Sequence, residues 1–254
     1  MNRNYEPVSV LFFQTVKFFL NGKTLKYLFV FPVLLLGALA VYEKFYPMYG
    51  FAETADLQIE LNVSSILTLF SVLAFITTEV TWQSTDLALF GRGEHSFFIP
   101  RLNKKYGLFL LVLAKMTLFS LVLAGTSVFA LTKVFDLFIK TFVFPTQIKA
   151  MLVLALFPFF MIRTGLCLVG SVAGEKIGLF QSWQITRIFG WGYFFMYVAA
   201  VLLPCALCLS CTRLLPQSGI VTNFAGYLSV VSSGAFQGVY LVQAFARAKK
   251  ESIL

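Results

Sequence analysis

Three ionisable side chains interrupt long apolar runs of the sequence: Glu79, Lys115 and Arg163. In hydrocarbon a cation costs about 2.5–3.5 kcal/mol on insertion scales unless it is paired, hydrated or able to reach the membrane surface. Glu79 is the only acid near the two cations in such runs, so charge neutrality predicts that it pairs with one of them. The other cation is then left for an anionic ligand, a lipid headgroup or water. The alternative is a structural ion pair plus a lysine that extends its ammonium group to the surface.

Other side chains capable of chemistry form no catalytic or metal-binding pattern. Cys205, Cys208 and Cys211 recur every three residues in one apolar run, which favours packing because no further ligands stand nearby. His95 is the one histidine, and no nucleophile stands at a spacing that would form a catalytic arrangement with it. The sequence has no phosphate-binding glycine loop, paired catalytic carboxylates or HExxH motif. We therefore predict no catalytic residue, no metal, no cofactor and no enzymatic activity.

The composition is that of a membrane protein. The 254 residues are 59% hydrophobic and 12% charged, with a mean hydropathy of +0.83, and a soluble domain of this size needs more polar surface. The apolar runs are close to the ~20 residues that a helix needs to cross a ~30 Å hydrocarbon core. We predict an all-α polytopic protein that forms a single integral membrane domain over residues 1–254. Its six predicted spans are Thr24–Tyr42, Val63–Trp82, Gly107–Leu131, Ala150–Val172, Gly190–Cys211 and Ala225–Ala246.

The lysines and arginines divide unevenly between the connections. Of the 20 in the chain, thirteen lie in the terminal segments and the even-numbered connections, and five lie in the odd-numbered connections. Basic residues concentrate in cytoplasmic loops, so both termini are predicted to be cytoplasmic. The net charge of +9 is explained by this distribution, and we expect no nucleic-acid partner.

The spacing of the spans predicts an internal repeat. Spans one, three and five begin at intervals of 83 residues, and a segment of mixed polarity precedes each. We predict three units, each an interfacial segment followed by a transmembrane hairpin, over residues 8–82, 91–172 and 175–246. The alternative is that a six-span chain of this length has even spacing by chance.

The interfacial segments carry the predicted membrane anchors. In the first, VSVLFFQTVKFFLNG, a narrow polar stripe of Gln14, Lys17 and Asn21 has helical spacing and predicts a helix lying in the membrane interface. In the third, QSWQITRIFGW, the polar residues form no single face. Here Trp183 and Trp191 are expected at headgroup depth, with Arg187 facing anionic lipid.

A family resemblance appears in GEKIGLFQSWQITRIFGWGYFFMYVAAVLLP, in which a Ser-Trp segment with a basic residue leads into an aromatic-rich span. In this the chain resembles uncharacterised bacterial inner-membrane proteins related to the membrane domain found beside glycerophosphodiester phosphodiesterases. The resemblance implies six helices with interfacial elements. It implies no catalytic residues, since that domain is the non-catalytic partner of the enzyme.

Two functions remain open from the sequence. The first is a non-enzymatic protein of a bacterial-type inner membrane that acts through lipid or partner-protein contacts, in envelope maintenance or in a membrane complex. The second is a transporter or lipid-handling protein whose anion-accepting cavity lies near Glu79, Lys115 and Arg163. Membrane lipids are expected partners in either case.

Overall fold

The computed structural model describes residues 7, 9–45, 49–51, 59–61, 63–91, 104–138, 146–212 and 219–251. Almost all of them are helical. The elements, in chain order, are α1 (Ser9–Phe19), α2 (Gly22–Phe45), β1 (Tyr49–Phe51), β2 (Ile59–Leu61), α3 (Val63–Phe90), α4 (Lys104–Phe138), α5 (Thr146–Thr164), α6 (Leu166–Ala173), α7 (Leu179–Ile188), α8 (Gly190–Thr212) and α9 (Gly219–Lys250).

Six stretches are long and apolar enough to cross a membrane, which confirms the predicted all-α polytopic fold. They are Leu28–Phe45, Ser64–Phe90, Lys105–Val134, Met151–Ala173, Gly190–Cys208 and Ile220–Lys250. Pro32, Pro158 and Pro204 lie inside helices α2, α5 and α8, as membrane helices tolerate. The β structure of the described residues is a small antiparallel pair, in which Tyr49 lies opposite Leu61.

Some helix limits differ from the predicted ones. Helix α3 continues past Trp82 to Phe90, because Gln83, Ser84 and Thr85, whose polarity marked the end of the predicted span, are buried. Short helices precede the first and fifth spans, at Ser9–Phe19 and Leu179–Ile188. The second interfacial segment and His95 lie outside the described residues, so the three-unit repeat stays a prediction.

The chain divides into two compact units. The first comprises the described parts of residues 1–100 and 196–243, and the second those of residues 101–195 and 244–254. The core of the first unit is a cluster of buried, mostly aliphatic side chains from α1, α2, α3 and α9. Members of this cluster include Leu28, Leu36, Ile76, Val80, Val231 and Val239.

Helices α3 and α9 approach each other closely within the first unit. A Cβ atom built on Gly234 would lie 2.8 Å from the Thr81 hydroxyl oxygen, and one built on Gly238 would lie 2.7 Å from those of Ser84 and Thr85. Small residues four apart allow helix backbones to come together in this way. Gly234 and Gly238 therefore form a close-packing face of α9 toward α3.

In the second unit, α4 packs against α5 and α6. The helical run breaks at Gly165, between α5 and α6. The C-terminal end of α9 is fixed by ion pairs: Arg247 Nε donates to Glu251 Oε1 at 2.8 Å, and Lys249 pairs with Glu175. The Arg247 guanidinium also lies over the ring of Phe189.

Candidate functional site

A polar cavity lies in the first unit, beside helix α1. Its volume is about 440 Å³, which is within the range of about 300–1,000 Å³ typical of ligand cavities. Residues from α1, the turn after it, the start of α2, the end of α3 and the last part of α9 line it: Gln14, Lys17, Phe18, Asn21, Thr24, Leu87, Gly91 and Gln243. The cavity therefore offers one ammonium group together with amide and hydroxyl groups.

The charge of this cavity is unbalanced. None of the described residues that line it is acidic, and Lys17 is exposed. Amide and hydroxyl groups can donate hydrogen bonds to an anion, and an ammonium group adds a point charge with three donors. The arrangement can therefore hold a phosphate or carboxylate group.

A second cavity in the same unit is apolar. Its volume is about 380 Å³, and its lining comes from α1 with the turn after it, α2, α8 and α9: Val16, Phe19, Leu20, Phe29, Val33, Leu203, Pro204, Leu207, Cys208, Leu228, Ser232 and Phe236. Phe19 stacks on Phe236 with ring centroids 4.1 Å apart and forms part of the wall. Hydrocarbon fits such a surface, because very little polar surface is desolvated when a chain covers it.

Helix α1 stands between the two cavities. Its polar stripe, with Gln14 and Lys17, lines the first cavity, and its apolar side, with Val16 and Phe19, lines the second. At about 100° per residue these pairs lie on roughly opposite sides of a helix. The sequence thus indicated the polar stripe. The sequence gave no sign that Gln243, which is far from α1 in the chain, lines the same cavity as this stripe.

Arg163, in the second unit, is buried and connects α5 to α7. Its Nη1 donates to the carbonyl oxygen of Thr186 at 2.6 Å, in the last turn of α7, where carbonyl groups have no partner within the helix. Its guanidinium also lies 5.3 Å from the centre of the Phe159 ring. These contacts indicate a structural role for Arg163, in which it stabilises the packing of α7 against α5.

The hydroxyl groups of α7 satisfy the backbone at the break between α5 and α6. Ser182 Oγ accepts from the Leu166 amide at 3.2 Å and donates to the Arg163 carbonyl oxygen at 3.0 Å. Thr186 Oγ1 lies 3.1 Å from the same carbonyl oxygen, which is one of three carbonyl acceptors within reach of its single hydroxyl hydrogen. Polar residues in QSWQITRIFGW are thus used for a contact within the protein, which the scattered pattern of the sequence did not reveal.

The predicted anchors of this segment belong to an aromatic cluster. Trp183 packs against Phe159 and Phe160, with centroid distances of 6.2 and 5.7 Å. Trp191 stacks on Phe159 at 5.8 Å, yet 63% of its surface is exposed. Arg187 is exposed at the end of α7. Their headgroup depth stays a prediction.

The remaining charges of the predicted intramembrane cluster are divided between the units. Glu79, in the first unit, is 5% exposed, and its Oε1 accepts from Gln83 Nε2 at 3.0 Å. Its Oε2 has no hydrogen-bond partner among the residues that the structure describes. Lys115 is exposed on α4, in the second unit. Pairing of Glu79 with Lys115 or Arg163 stays a prediction.

A further polar cluster lies in the first unit, and the sequence did not indicate it. Glu43, near the end of α2, accepts from Asn223 Nδ2 at 2.7 Å and from the Tyr227 hydroxyl group. All three side chains are at least half-buried, and both hydrogen bonds are made to Glu43. We interpret this cluster as a structural contact between α2 and α9. Across the described ranges, no three His, Cys, Asp or Glu residues come close enough to hold a metal ion.

Comparison of the chain with family models, with curated proteins and with solved structures found no match.

Proposed function

We propose that this protein is a non-enzymatic integral membrane protein that binds the anionic headgroup of a membrane lipid in the polar cavity around Lys17. The observation that carries the proposal is the unbalanced lining: one ammonium group and several hydrogen-bond donors, with no acid among the described residues that line the cavity. Lipid contact, rather than catalysis, then accounts for the protein's role in an envelope or membrane complex.

The position of the cavity along the spans supports a lipid ligand. Its lining includes the start of α2, at Thr24, the end of α3, at Leu87 and Gly91, and a late position of α9, at Gln243. The first span begins at this end of the unit, and the second and sixth spans finish there. Because successive spans run in opposite directions, these three ends lie on the same side of the membrane. By the distribution of basic residues this is the cytoplasmic side, whose leaflet carries anionic lipids in cells.

Replacing Lys17 with Gln tests the proposal. The purified protein is reconstituted in nanodiscs that contain equal amounts of phosphatidylglycerol and phosphatidylcholine with the same chains, and the lipids that remain bound are counted by native mass spectrometry. A lysine near an anionic surface contributes about 1 kcal/mol, so the preference for phosphatidylglycerol should fall about fivefold.

Lys44→Gln is the matched control, because this lysine is also exposed but lies at the opposite end of α2. It should leave the preference unchanged. An equal preference in wild type and Lys17→Gln would contradict the proposal. Displacement of the bound lipid by millimolar inorganic phosphate would show that the cavity selects a small free anion instead.

A further inference from the structure

We infer that a single anionic phospholipid occupies both cavities of the first unit, with its headgroup beside Lys17 and one hydrocarbon chain in the apolar groove. The apolar groove is the second cavity, lined by residues of α1, α2, α8 and α9. The inference rests on the proposed headgroup site and adds the class of ligand: a diacyl lipid that is recognised by its chain as well as by its charge.

The order of the lining residues along α9 matches the order of groups in a phospholipid. Gln243 lines the polar cavity, and Phe236, Ser232 and Leu228 line the apolar groove. At about 1.5 Å per residue, Phe236 lies about 10 Å from Gln243 along the helix and Leu228 about 22 Å. The surroundings therefore change from polar to apolar in the direction from the end of the span toward its interior, as they do along a lipid molecule.

The two cavities approach each other at the turn between α1 and α2. The adjacent residues Leu20 and Asn21 line one cavity each, Leu20 the apolar groove and Asn21 the polar cavity. Both residues are exposed, so a ligand can pass over this turn without displacing the core. Phe19, by contrast, is buried against Phe236, so a ligand that reaches both cavities has to pass over the turn and not beside Phe19.

The length and continuity of the groove suit a hydrocarbon chain as its occupant. Phe236 and Leu228 are eight residues apart, about 12 Å along α9, and both line the groove. A hydrocarbon chain that continues from the headgroup site over this distance meets a lining that is almost entirely apolar.

Filling the groove with Leu207→Trp tests this inference. Leu207 lines the groove and is 57% exposed, and Leu202, on the same helix but outside the groove, is 56% exposed and gives the control Leu202→Trp. Binding of phosphatidylglycerol with 16-carbon chains and with six-carbon chains is titrated by native mass spectrometry. Leu207→Trp should reduce the preference for the long-chain lipid about tenfold, and Leu202→Trp should leave it unchanged.

The outcomes separate the inference from the proposed function. If Leu207→Trp and Leu202→Trp behave alike while Lys17→Gln lowers the preference for anionic lipid, the headgroup site stands and the chain site is wrong. If Leu207→Trp releases lipids of every headgroup and Lys17→Gln has no effect, the single-lipid inference is wrong and so is the headgroup site. Loss of a dimer peak in Leu207→Trp alone would show that a second copy of the chain covers the groove, which also overturns the inference.

A second variant fills the groove from another helix. Ser232 lines it from α9 and is 8% exposed, and Ser232→Leu adds a smaller side chain than tryptophan. If Leu207→Trp fails to fold, as judged by circular dichroism and size-exclusion chromatography, the same loss of long-chain preference is expected in Ser232→Leu. An unchanged preference in a folded Ser232→Leu protein would overturn the inference.

Discussion

Ser182 is the clearest case of a polar residue whose role is decided by a distant backbone group. Its hydroxyl group bonds both to the Leu166 amide and to the Arg163 carbonyl oxygen, which become available where the helical run breaks at Gly165. Groups freed by a break inside a span need partners from the protein, because hydrocarbon supplies none. Ser182, Thr186 and Arg163 thus work together as a structural network at the residue scale.

Replacing Ser182 with Ala should destabilise the second unit. The change leaves the buried Leu166 amide without its acceptor and removes the Ser182 hydroxyl group as a donor to the Arg163 carbonyl oxygen. An unsatisfied buried group costs about 1–3 kcal/mol. The thermal midpoint in detergent should fall by several degrees. Ser210→Ala is the control, because that residue is exposed and, among the described residues, its hydroxyl group bonds to the Ala206 carbonyl oxygen of its own helix. Equal midpoints for the two variants would show that the network contributes nothing.

At the scale of elements, the contact between α3 and α9 depends on having no side chain at two positions of α9. Around Gly238 the atoms of α3 leave no space for a Cβ, since the carbonyl oxygen of Thr81 would lie 2.9 Å from it. The polar residues Ser84 and Thr85 meet this part of α9 and bond to the Thr81 carbonyl oxygen of their own helix. Their hydrogen bonds are therefore satisfied although they are buried.

Gly238→Ala should separate the two helices. The obstruction includes backbone, so the cost is that of overpacking, about 1–3 kcal/mol. Gly226→Ala, on the same helix, is the control, because a Cβ there meets nothing within 4 Å. Alanine favours a helix by about 0.5–1 kcal/mol over glycine, so Gly226→Ala should be neutral or slightly stabilising. The unfolding of both proteins in detergent measures the difference, and a stable Gly238→Ala protein would argue against close contact.

At the scale of the whole molecule, the distribution of charge predicts the orientation of the six spans. Thirteen lysines and arginines occur in the segments predicted to be cytoplasmic and five in those predicted to be external. An excess of this size orients a polytopic protein with its basic loops inside. The same prediction places the polar cavity around Lys17 at the cytoplasmic leaflet.

Reporter fusions test this orientation. A phosphatase that is active only outside and a fluorescent protein that is active only inside are joined after residues 50, 95, 140, 180, 217 and 254. The predicted order is outside, inside, outside, inside, outside, inside. A cytoplasmic position for residue 50 would reverse the topology, place the Lys17 cavity in the outer leaflet and remove the basis of the three-unit repeat.

The sequence by itself determined the class of this protein, its six spans and the polar stripe of α1. Each of these follows from local information: about 20 apolar residues suffice to specify a span, and Gln14 and Lys17 are close enough in the chain for helical periodicity to align them.

Only the tertiary structure decided what these elements enclose. Gln243 joins Lys17 at one cavity although more than 200 residues separate them, and Ser182 meets the break at Gly165 because α7 folds back on α5 and α6. No local periodicity specifies such pairs. In a chain that is 59% hydrophobic, many apolar faces are equivalent in composition, so which of them meet, and where a cavity is left between them, depends on the packing of particular side chains such as Phe19 on Phe236.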